Sequence, residues 1–119
     1  MRFAPDTETT LEFIVTLGNT HASASKSGAD ELSTIAELYA LIEAATYTGR
    51  FSRDDAELAE VRDTREALRR LWSLDRDAAA VEVNRMLADA NALPFLTRHD
   101  HFDWHLHATS DDAPWAERM

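Results

Sequence analysis

The spacing of apolar residues changes at Pro94, and this change limits the possible folds more than any other feature of the sequence. Before Pro94, apolar side chains recur every three or four residues, which is the period of an amphipathic α-helix. After it, residues 94–109 alternate between apolar and polar, which is typical of a half-buried strand. Proline also stops a helix, because it lacks a backbone N–H. The sequence therefore predicts an α+β fold that is mainly helical, with three to four helices packed on a C-terminal β-hairpin.

The first apolar segment, residues 9–20, predicts a helix, although its β-branched and aromatic residues leave a strand open. Leu11, Ile14 and Val15 follow helical spacing, and further apolar residues fall between them. We therefore expect this helix to be buried on more than one side. Asn19 follows a glycine and is interpreted as the stop of the helix, with a ligand contact as the alternative.

Further helices are predicted between this segment and Pro94. Residues 21–31 are small and polar and include a glycine, so a mobile loop is expected there. Thr34 and Glu37 have the spacing of a capping box, in which each side chain accepts a hydrogen bond from the backbone of the other residue. The predicted helices cover residues 34–49, about 52–72 and about 75–90.

Two polar residues fall on the apolar faces of these helices. Arg65 lies between Val61 and Leu68. In the following helix, Asn84 lies one turn before Leu87. A buried charge must be paired, and a buried amide must be hydrogen-bonded. For Arg65 we favour a stem that covers the core and a guanidinium that reaches solvent. The alternative is a guanidinium that holds a carboxylate ligand or an internal acid.

The hairpin is rich in histidine. Residues 98–107 read RHDHFDWHLH, with a turn predicted around Asp100. His105 and His107 share one face of a strand, and His99 could join them across the hairpin. An ordinary solvent-facing surface is the favoured interpretation, with ligand contacts or a zinc site as alternatives. On the opposite face, Phe102, Trp104, Leu106 and Ala108 are expected to look toward the core.

The last segment looks like the start of a helix. Asp112 can cap it, and Pro114 is tolerated in a first turn. Since a domain rarely ends by starting an amphipathic helix, we interpret the chain as a truncated piece of a longer protein, with an apolar strip that a second copy could cover as a homodimer. Trp72, Trp104 and Trp115 are expected to be core or interface anchors.

Composition excludes several classes of function. The 119 residues carry a formal net charge of −10, and acidic residues exceed basic ones in both halves of the chain. Because a duplex-binding surface needs a cationic footprint, we expect no direct nucleic-acid binding. The sequence has no membrane-length apolar run, no secretory signal and no cysteine, so we expect no membrane role and take the cytoplasm as the default location. Phosphate-loop, dinucleotide and nucleophile motifs are lacking, so we expect no catalysis.

Several segments together resemble the ABATE domain, the N-terminal part of bacterial CGNR zinc-finger proteins. The resemblance runs from about residue 10 to the end, and it implies one ABATE-like domain over residues 1–119. The matching features are Asn19-Thr20 after the apolar helix, Arg62, Arg65, Leu68 and Arg69 in a later helix, Val83-Asn84 in the next, and DWHLHA at residues 103–108.

The resemblance implies a regulatory, ligand-sensing domain of a stress-induced transcription regulator. In such proteins zinc is held by cysteines of a C-terminal part that this sequence lacks, so we expect no cofactor and no metal site in this chain. The expected partner is a small molecule, with anions among the candidates. A metal-binding protein or metal-dependent enzyme that uses the hairpin histidines, and a pure dimerisation domain, are the alternatives. The residues expected to contact the ligand are Arg65, Asn84, Asn19, His105 and His107.

Overall fold

The computed structural model describes residues 3–119, and within this range it contains five helices and one two-stranded antiparallel sheet. The predicted α+β fold, mainly helical with a C-terminal hairpin, is confirmed. Among these helices none is both long and apolar enough to cross a membrane. The elements are α1 (Pro5–Gly18), α2 (Ile35–Ala44), α3 (Asp55–Leu71), α4 (Arg76–Asp89), β1 (Phe95–Thr97), β2 (His105–His107) and α5 (Trp115–Arg118).

Side-chain caps fix the starts of α2, α3 and α4. The Thr34 hydroxyl accepts a hydrogen bond from the backbone N–H of Glu37 at 3.1 Å, as the capping-box spacing predicts. The Glu37 carboxylate accepts in return from the backbone N–H of Ser33 at 3.2 Å, one residue earlier than the standard box. Asp54 and Asp75 cap α3 and α4 with their carboxylates. These helix starts therefore follow from local sequence.

The core lies where α1, α2 and α5 pack against α3. Trp115 of α5 is 1% exposed and packs edge-on against Phe13 of α1 and against Tyr47. Of the three tryptophans, Trp72 and Trp104 are exposed, so Trp115 alone serves as the predicted core anchor. The buried apolar residues are Phe13, Leu17, Leu32, Leu38, Tyr39, Ile42, Leu58, Val61 and Trp115.

Helix α1 buries one face only. Phe13 and Leu17, four residues apart, lie in the core, whereas Leu11 and Val15 are exposed. The expectation of burial on more than one side is therefore wrong. The reason is that α1 lies at the edge of the helical group, where it packs against α3. Asn19 is the C-cap of α1, which confirms its interpretation as the stop of the helix.

Helix α4 lies outside the core. None of its residues, all of which the structure describes, is buried. Val83 and Leu87 of its apolar face are exposed, and Asn84 is exposed with them. The side-chain amide of Asn84 can therefore bond to water, and the interpretation of it as a buried polar group is wrong.

Arg65 of α3 is buried, with 2% of its surface exposed. Its Nη1 and Nη2 donate to the two carboxylate oxygens of Asp30 at 2.9 and 2.8 Å, and Nη1 also donates to the Thr20 hydroxyl at 3.0 Å. The favoured interpretation of a solvent-facing guanidinium is therefore wrong, and the alternative of an internal acid is right. The hydrogen-bonded guanidinium holds the pKa of Asp30 far below its usual range. The pair ties the turns of residues 21–31 to α3.

The hairpin forms where it was predicted, but its faces are inverted. The two strands pair antiparallel, with Leu96 opposite Leu106. Trp104 and Leu106, expected to face the core, are 65% and 62% exposed, whereas His105 and His107 are half-buried, as are Phe102 and Ala108 at the ends of the predicted apolar face. Alternation establishes two faces of a strand but not which one is inside. Because α5 already closes the core, the apolar face of the hairpin has no helix to pack on.

Candidate functional site

A cleft of about 720 Å³ opens between α1, the hairpin and α5, and we name it the hairpin cleft. Its walls are the first half of α1, residues 45–49 after α2, the end of α4, the hairpin with its histidines and the short helix α5. Cavities of this size bind small molecules and cofactors in many proteins. The inverted hairpin thus turns its polar face toward a cleft, where it is only partly accessible to solvent.

Three imidazole rings meet in the hairpin cleft. Nε2 of His107 lies 3.0 Å from Nε2 of His99 and 3.1 Å from Nε2 of His105. The ring centroids of the three pairs are 4.9, 4.8 and 4.8 Å apart, with interplanar angles of 71°, 71° and 66°. The rings therefore form a nearly threefold cluster, which we name the histidine cluster. Strand register explains it, since His105 and His107 share a face of β2 and His99 follows the facing strand.

The opposite ring nitrogens of two of these histidines are held by acceptors. Nδ1 of His99 lies 2.8 Å from the Asp100 carboxylate, and Nδ1 of His105 lies 2.6 Å from the backbone carbonyl oxygen of Asp103. An ionised carboxylate and a carbonyl can only accept, so both Nδ1 atoms carry the proton. In a neutral imidazole of this tautomer the lone pair sits on Nε2, and the Nε2 atoms of His99 and His105 both face Nε2 of His107.

Asp100 is itself fixed in the hairpin turn. It has a φ of 53°, a conformation that aspartate tolerates better than most residues. Its carboxylate accepts a second hydrogen bond, from the Thr48 hydroxyl, at 3.2 Å. The hydrogen bond from His99 lowers the pKa of Asp100. Asp100 therefore stays ionised and keeps the His99 ring in one orientation.

The surroundings of His107 favour a neutral imidazole. Burial lowers the pKa of His107, and the rings of His99 and His105 lower it further, with Asp111 and Asp6 acting in the opposite direction. Nδ1 of His107 lies 3.7 Å from the Asp111 carboxylate, which is longer than a direct hydrogen bond. A neutral imidazole offers one lone pair, which is the form that binds metal ions.

Two buried donors in the wall of the cleft have no hydrogen-bond partner among residues 3–119. They are Nε1 of Trp115 and the hydroxyl of Tyr47, whose rings pack edge-on with centroids 4.4 Å apart. Burial raises the pKa of Tyr47, an effect that the Thr10 hydroxyl opposes without reaching hydrogen-bond geometry. A buried donor without an acceptor costs about 1–3 kcal/mol. Both donor atoms are covered by protein, so an acceptor reaches them only when the packing around α5 opens.

The lining of the hairpin cleft carries more acidic than basic side chains. Asp6, Asp100, Asp111 and Glu117 line it, together with Arg118. The guanidinium of Arg118 donates to backbone carbonyl oxygens of the surrounding loops. Its hydrogen-bonding capacity is thus largely used within the protein. The field in the cleft therefore favours a cation close to the acidic side chains.

Of the five residues predicted to contact a ligand, His105 and His107 line the hairpin cleft. Arg65 is enclosed by Asp30 and Thr20, and Asn19 caps α1. Asn84 is exposed on α4. Arg65, Asn19 and Asn84 are therefore not among the described residues that line the cleft. The structure therefore brings together the predicted histidines and leaves the predicted amides and arginine elsewhere.

Sequence reasoning did not identify Tyr47 and Trp115 as site residues. They are far apart in the chain, and only the packing of α5 against the end of α2 brings their rings together. No local motif marks such a contact. Asp100 was interpreted as a turn residue, and its position next to His99 is the signal that could have indicated its second role.

The comparison with protein families gives a match that covers most of the chain. The model of the ABATE family, described as "Putative stress-induced transcription regulator", matches residues 9–119. This range includes the histidine cluster, Tyr47 and Trp115. Neither the curated proteins nor the solved structures gave a significant match.

Proposed function

Because the chain belongs to the ABATE family, we propose that it is the regulatory domain of a bacterial stress-induced transcription regulator and that it senses a small molecule in the hairpin cleft. It acts by binding, without catalysis, in the cytoplasm, where such regulators meet their signals. The family description supports the regulatory role. The ligand-sensing role is supported by the cleft.

The observation that carries the sensing role is the pair of buried donors in the cleft wall. Trp115 Nε1 and the Tyr47 hydroxyl are orphaned within the described chain, although the great majority of buried polar groups in proteins are paired. A ligand with acceptor oxygens would satisfy both and remove their desolvation cost. The ligand class is therefore a small oxygen-bearing molecule, and the acidic lining of the cleft favours a neutral or cationic one over a free anion.

Binding at this wall could be transmitted to the rest of the domain. Trp115 packs against Phe13 of α1 and is part of the core that α3 organises. A ligand that accepts a hydrogen bond from the indole N–H therefore changes the packing of α5 against α1 and α3. That coupling is what a regulatory domain requires, because the ligand must stabilise one arrangement of elements over another.

The charge of the chain fits a role in regulation at a distance from nucleic acid. With a formal net charge of −10, the domain is repelled by phosphate backbones. We therefore propose that it does not contact nucleic acid directly.

A thermal-shift screen of small carboxylates, phosphates and sugars against the full chain tests the sensing role. We expect at least one class to raise the Tm of the wild type, since a ligand that binds only the folded state stabilises it. Tyr47→Phe deletes a donor and keeps the ring, and Trp115→Phe deletes a donor and leaves a smaller aromatic ring, so each should reduce that shift. Trp104→Phe changes an exposed indole and is the matched control. A screen without any shift, or shifts that survive both donor deletions, would contradict the proposal.

Homodimerisation is a second candidate, favoured by exposed apolar side chains on two neighbouring elements. Val83 and Leu87 of α4 are exposed, and so are Leu96 and Leu106 of the hairpin, with Leu87 and Leu106 at the rim of the hairpin cleft. Surfaces of this kind often mark contacts with another chain. Light scattering over a range of concentrations tests it, and a monomer at every concentration would count against it.

A further inference from the structure

We infer that His99, His105 and His107 form a binding site for one divalent transition-metal ion of the zinc class, held through their three Nε2 atoms. The sequence alone led us to expect no metal in this chain, because it cannot show that three rings converge. The site depends on the geometry of the hairpin alone. A role of the bound metal ion as a signal, or as an anchor for a ligand in the hairpin cleft, rests on the proposed sensing function.

The spacing of the nitrogens is close to what a tetrahedral ion requires. Zinc–imidazole bonds of about 2.0–2.1 Å at tetrahedral angles place the ligand nitrogens about 3.3–3.4 Å apart. The Nε2 atoms of His99 and His105 lie 3.0 and 3.1 Å from that of His107. One ligand atom from each ring can be chosen so that all three lie within 4.8 Å of one another. The site is complete when the two distances to His107 grow by a few tenths of an ångström and the ligand nitrogens of His99 and His105 move to the same spacing.

The orientation of the rings also points toward a shared centre, because the Nδ1 atoms of His99 and His105 bond outward and their Nε2 atoms face inward. Nδ1 of His99 and of His105 donates its proton to an acceptor outside the cluster, which leaves two lone pairs directed at His107. A proton on Nε2 of His107 can serve one of these lone pairs well, and the other remains in repulsive contact. A metal ion at the centre accepts all three lone pairs at once. Neutral imidazole is the form that such an ion binds.

The second layer of the cluster has the arrangement that orients metal-binding histidines. Such histidines almost always donate their other N–H to a carboxylate or a backbone carbonyl. His99 donates to Asp100, which also accepts from Thr48, and His105 donates to the carbonyl oxygen of Asp103. The rings are thus oriented by bonds that do not depend on the ion. This arrangement distinguishes the cluster from three histidines that merely share a wet strand face.

The ligand set restricts the metal. Three imidazoles suit Zn²⁺, Ni²⁺, Co²⁺ and Cu²⁺, whereas Mg²⁺ and Ca²⁺ prefer oxygen ligands. Three protein ligands leave at least one coordination position for a water molecule or a ligand oxygen. Since the cluster lines the hairpin cleft, that position is available to a small molecule that enters it.

Zinc titration of the chelator-treated full chain by calorimetry tests the inference. The wild type should bind one equivalent with a Kd below about 1 µM. His107→Ala should weaken binding at least about tenfold, and Asp100→Asn, which leaves all three rings in place, should weaken it about tenfold through loss of orientation. His101→Ala, at an exposed turn position outside the cluster, is the matched control and should bind as the wild type does.

Co²⁺ added in place of zinc gives a second measurement that does not depend on affinity alone. A tetrahedral site should produce intense visible absorption bands, and these should disappear in His107→Ala. A Kd weaker than about 1 µM, or equal binding by His107→Ala and the wild type, would overturn the inference. Trp115→Phe separates it from the sensing role: this variant should lose small-molecule binding and keep zinc binding. Loss of zinc binding in Trp115→Phe with the fold retained would also count against a site made by the hairpin alone.

Discussion

Asp30→Asn should destabilise the protein strongly, because it removes the carboxylate that pairs with a buried guanidinium of α3. It leaves the guanidinium of Arg65 buried, at 2% exposure, with Glu66 at 3.3 Å as its remaining charged neighbour. Breaking a buried ion pair from one side costs about 3–5 kcal/mol, because the other charge stays desolvated. Glu66 is 43% exposed, so solvent screens its compensation and only part of that cost is recovered. We expect a loss of about 2–4 kcal/mol in the free energy of unfolding.

Arg65→Met should cost less, although it removes the same ion pair. It deletes the buried charge and keeps an apolar stem of similar length, while Asp30, with 23% of its side chain exposed, can turn toward water. We expect about 1–2 kcal/mol, mostly from lost hydrogen bonds. Arg62→Met is the control, because Arg62 also approaches Asp30, at 3.4 Å, but is 41% exposed. Its cost should stay below about 1 kcal/mol.

Urea unfolding followed by circular dichroism measures all three variants. The order of destabilisation should be Asp30→Asn, then Arg65→Met, then Arg62→Met, at an unchanged m-value. If Asp30→Asn costs no more than Arg65→Met, the guanidinium is not buried as described and the reasoning from desolvation fails. Equal effects of Arg62→Met and Arg65→Met would lead to the same conclusion.

Three further predictions address pH, the cleft wall and the hairpin. The pKa of Asp30 is lowered in the folded state, so the pair contributes its full stability above the unfolded pKa of about 3.9 and loses it as pH falls toward the folded pKa. The difference in free energy of unfolding between wild type and Asp30→Asn, measured from pH 7 to pH 3, should therefore shrink below about pH 4. Tyr47→Phe should leave the free energy of unfolding unchanged or raise it by up to about 1 kcal/mol, because it removes an orphaned buried hydroxyl. A clear loss of that free energy in urea unfolding would show that the hydroxyl has a partner. Leu106→Thr should cost less than about 0.5 kcal/mol, since Leu106 is 62% exposed; a cost of about 2 kcal/mol or more would place that face of the hairpin in a core.

Local sequence was sufficient to predict most of the helix starts and stops. The helix starts at Thr34, Asp54 and Asp75 depend on side chains within three residues of the backbone groups that they cap. The stop at Asn19 and the end of helical structure at Pro94 are equally local. Such interactions can be recognised because they need no knowledge of the rest of the fold.

The predictions that failed all concern which face of an element is covered. Leu106 and Val15 lie on apolar faces that no other element covers, although their spacing is that of core residues. Which face of a strand or helix becomes buried depends on where other elements stand, and here Trp115 of α5 closes the core that the hairpin was expected to close. The prediction of a solvent-facing guanidinium for Arg65 failed for a related reason, because its partner Asp30 lies 35 residues away in the chain.

The sequence predicted only part of the candidate site. The strand period placed His105 and His107 on one face and allowed His99 to join them, but the opposite face was expected to be the inner one. The hydrogen bonds of Nδ1 that turn three rings into a possible metal site depend on the turn conformation of Asp100 and on the backbone near Asp103. Spacing alone does not fix such geometry.

The histidine cluster can be tested directly by ¹⁵N NMR of the imidazole nitrogens before and after the addition of zinc. In the metal-free chain, His99 and His105 should be protonated at Nδ1, whereas His21 should be protonated at Nε2, because its Nδ1 accepts the backbone N–H of Ser23 at 3.1 Å. Zinc should shift the Nε2 resonances of His99, His105 and His107 together and leave those of His21 and His101 in place. Equal shifts in all five histidines, or Nε2 protonation of both His99 and His105, would contradict a metal site built by the hairpin.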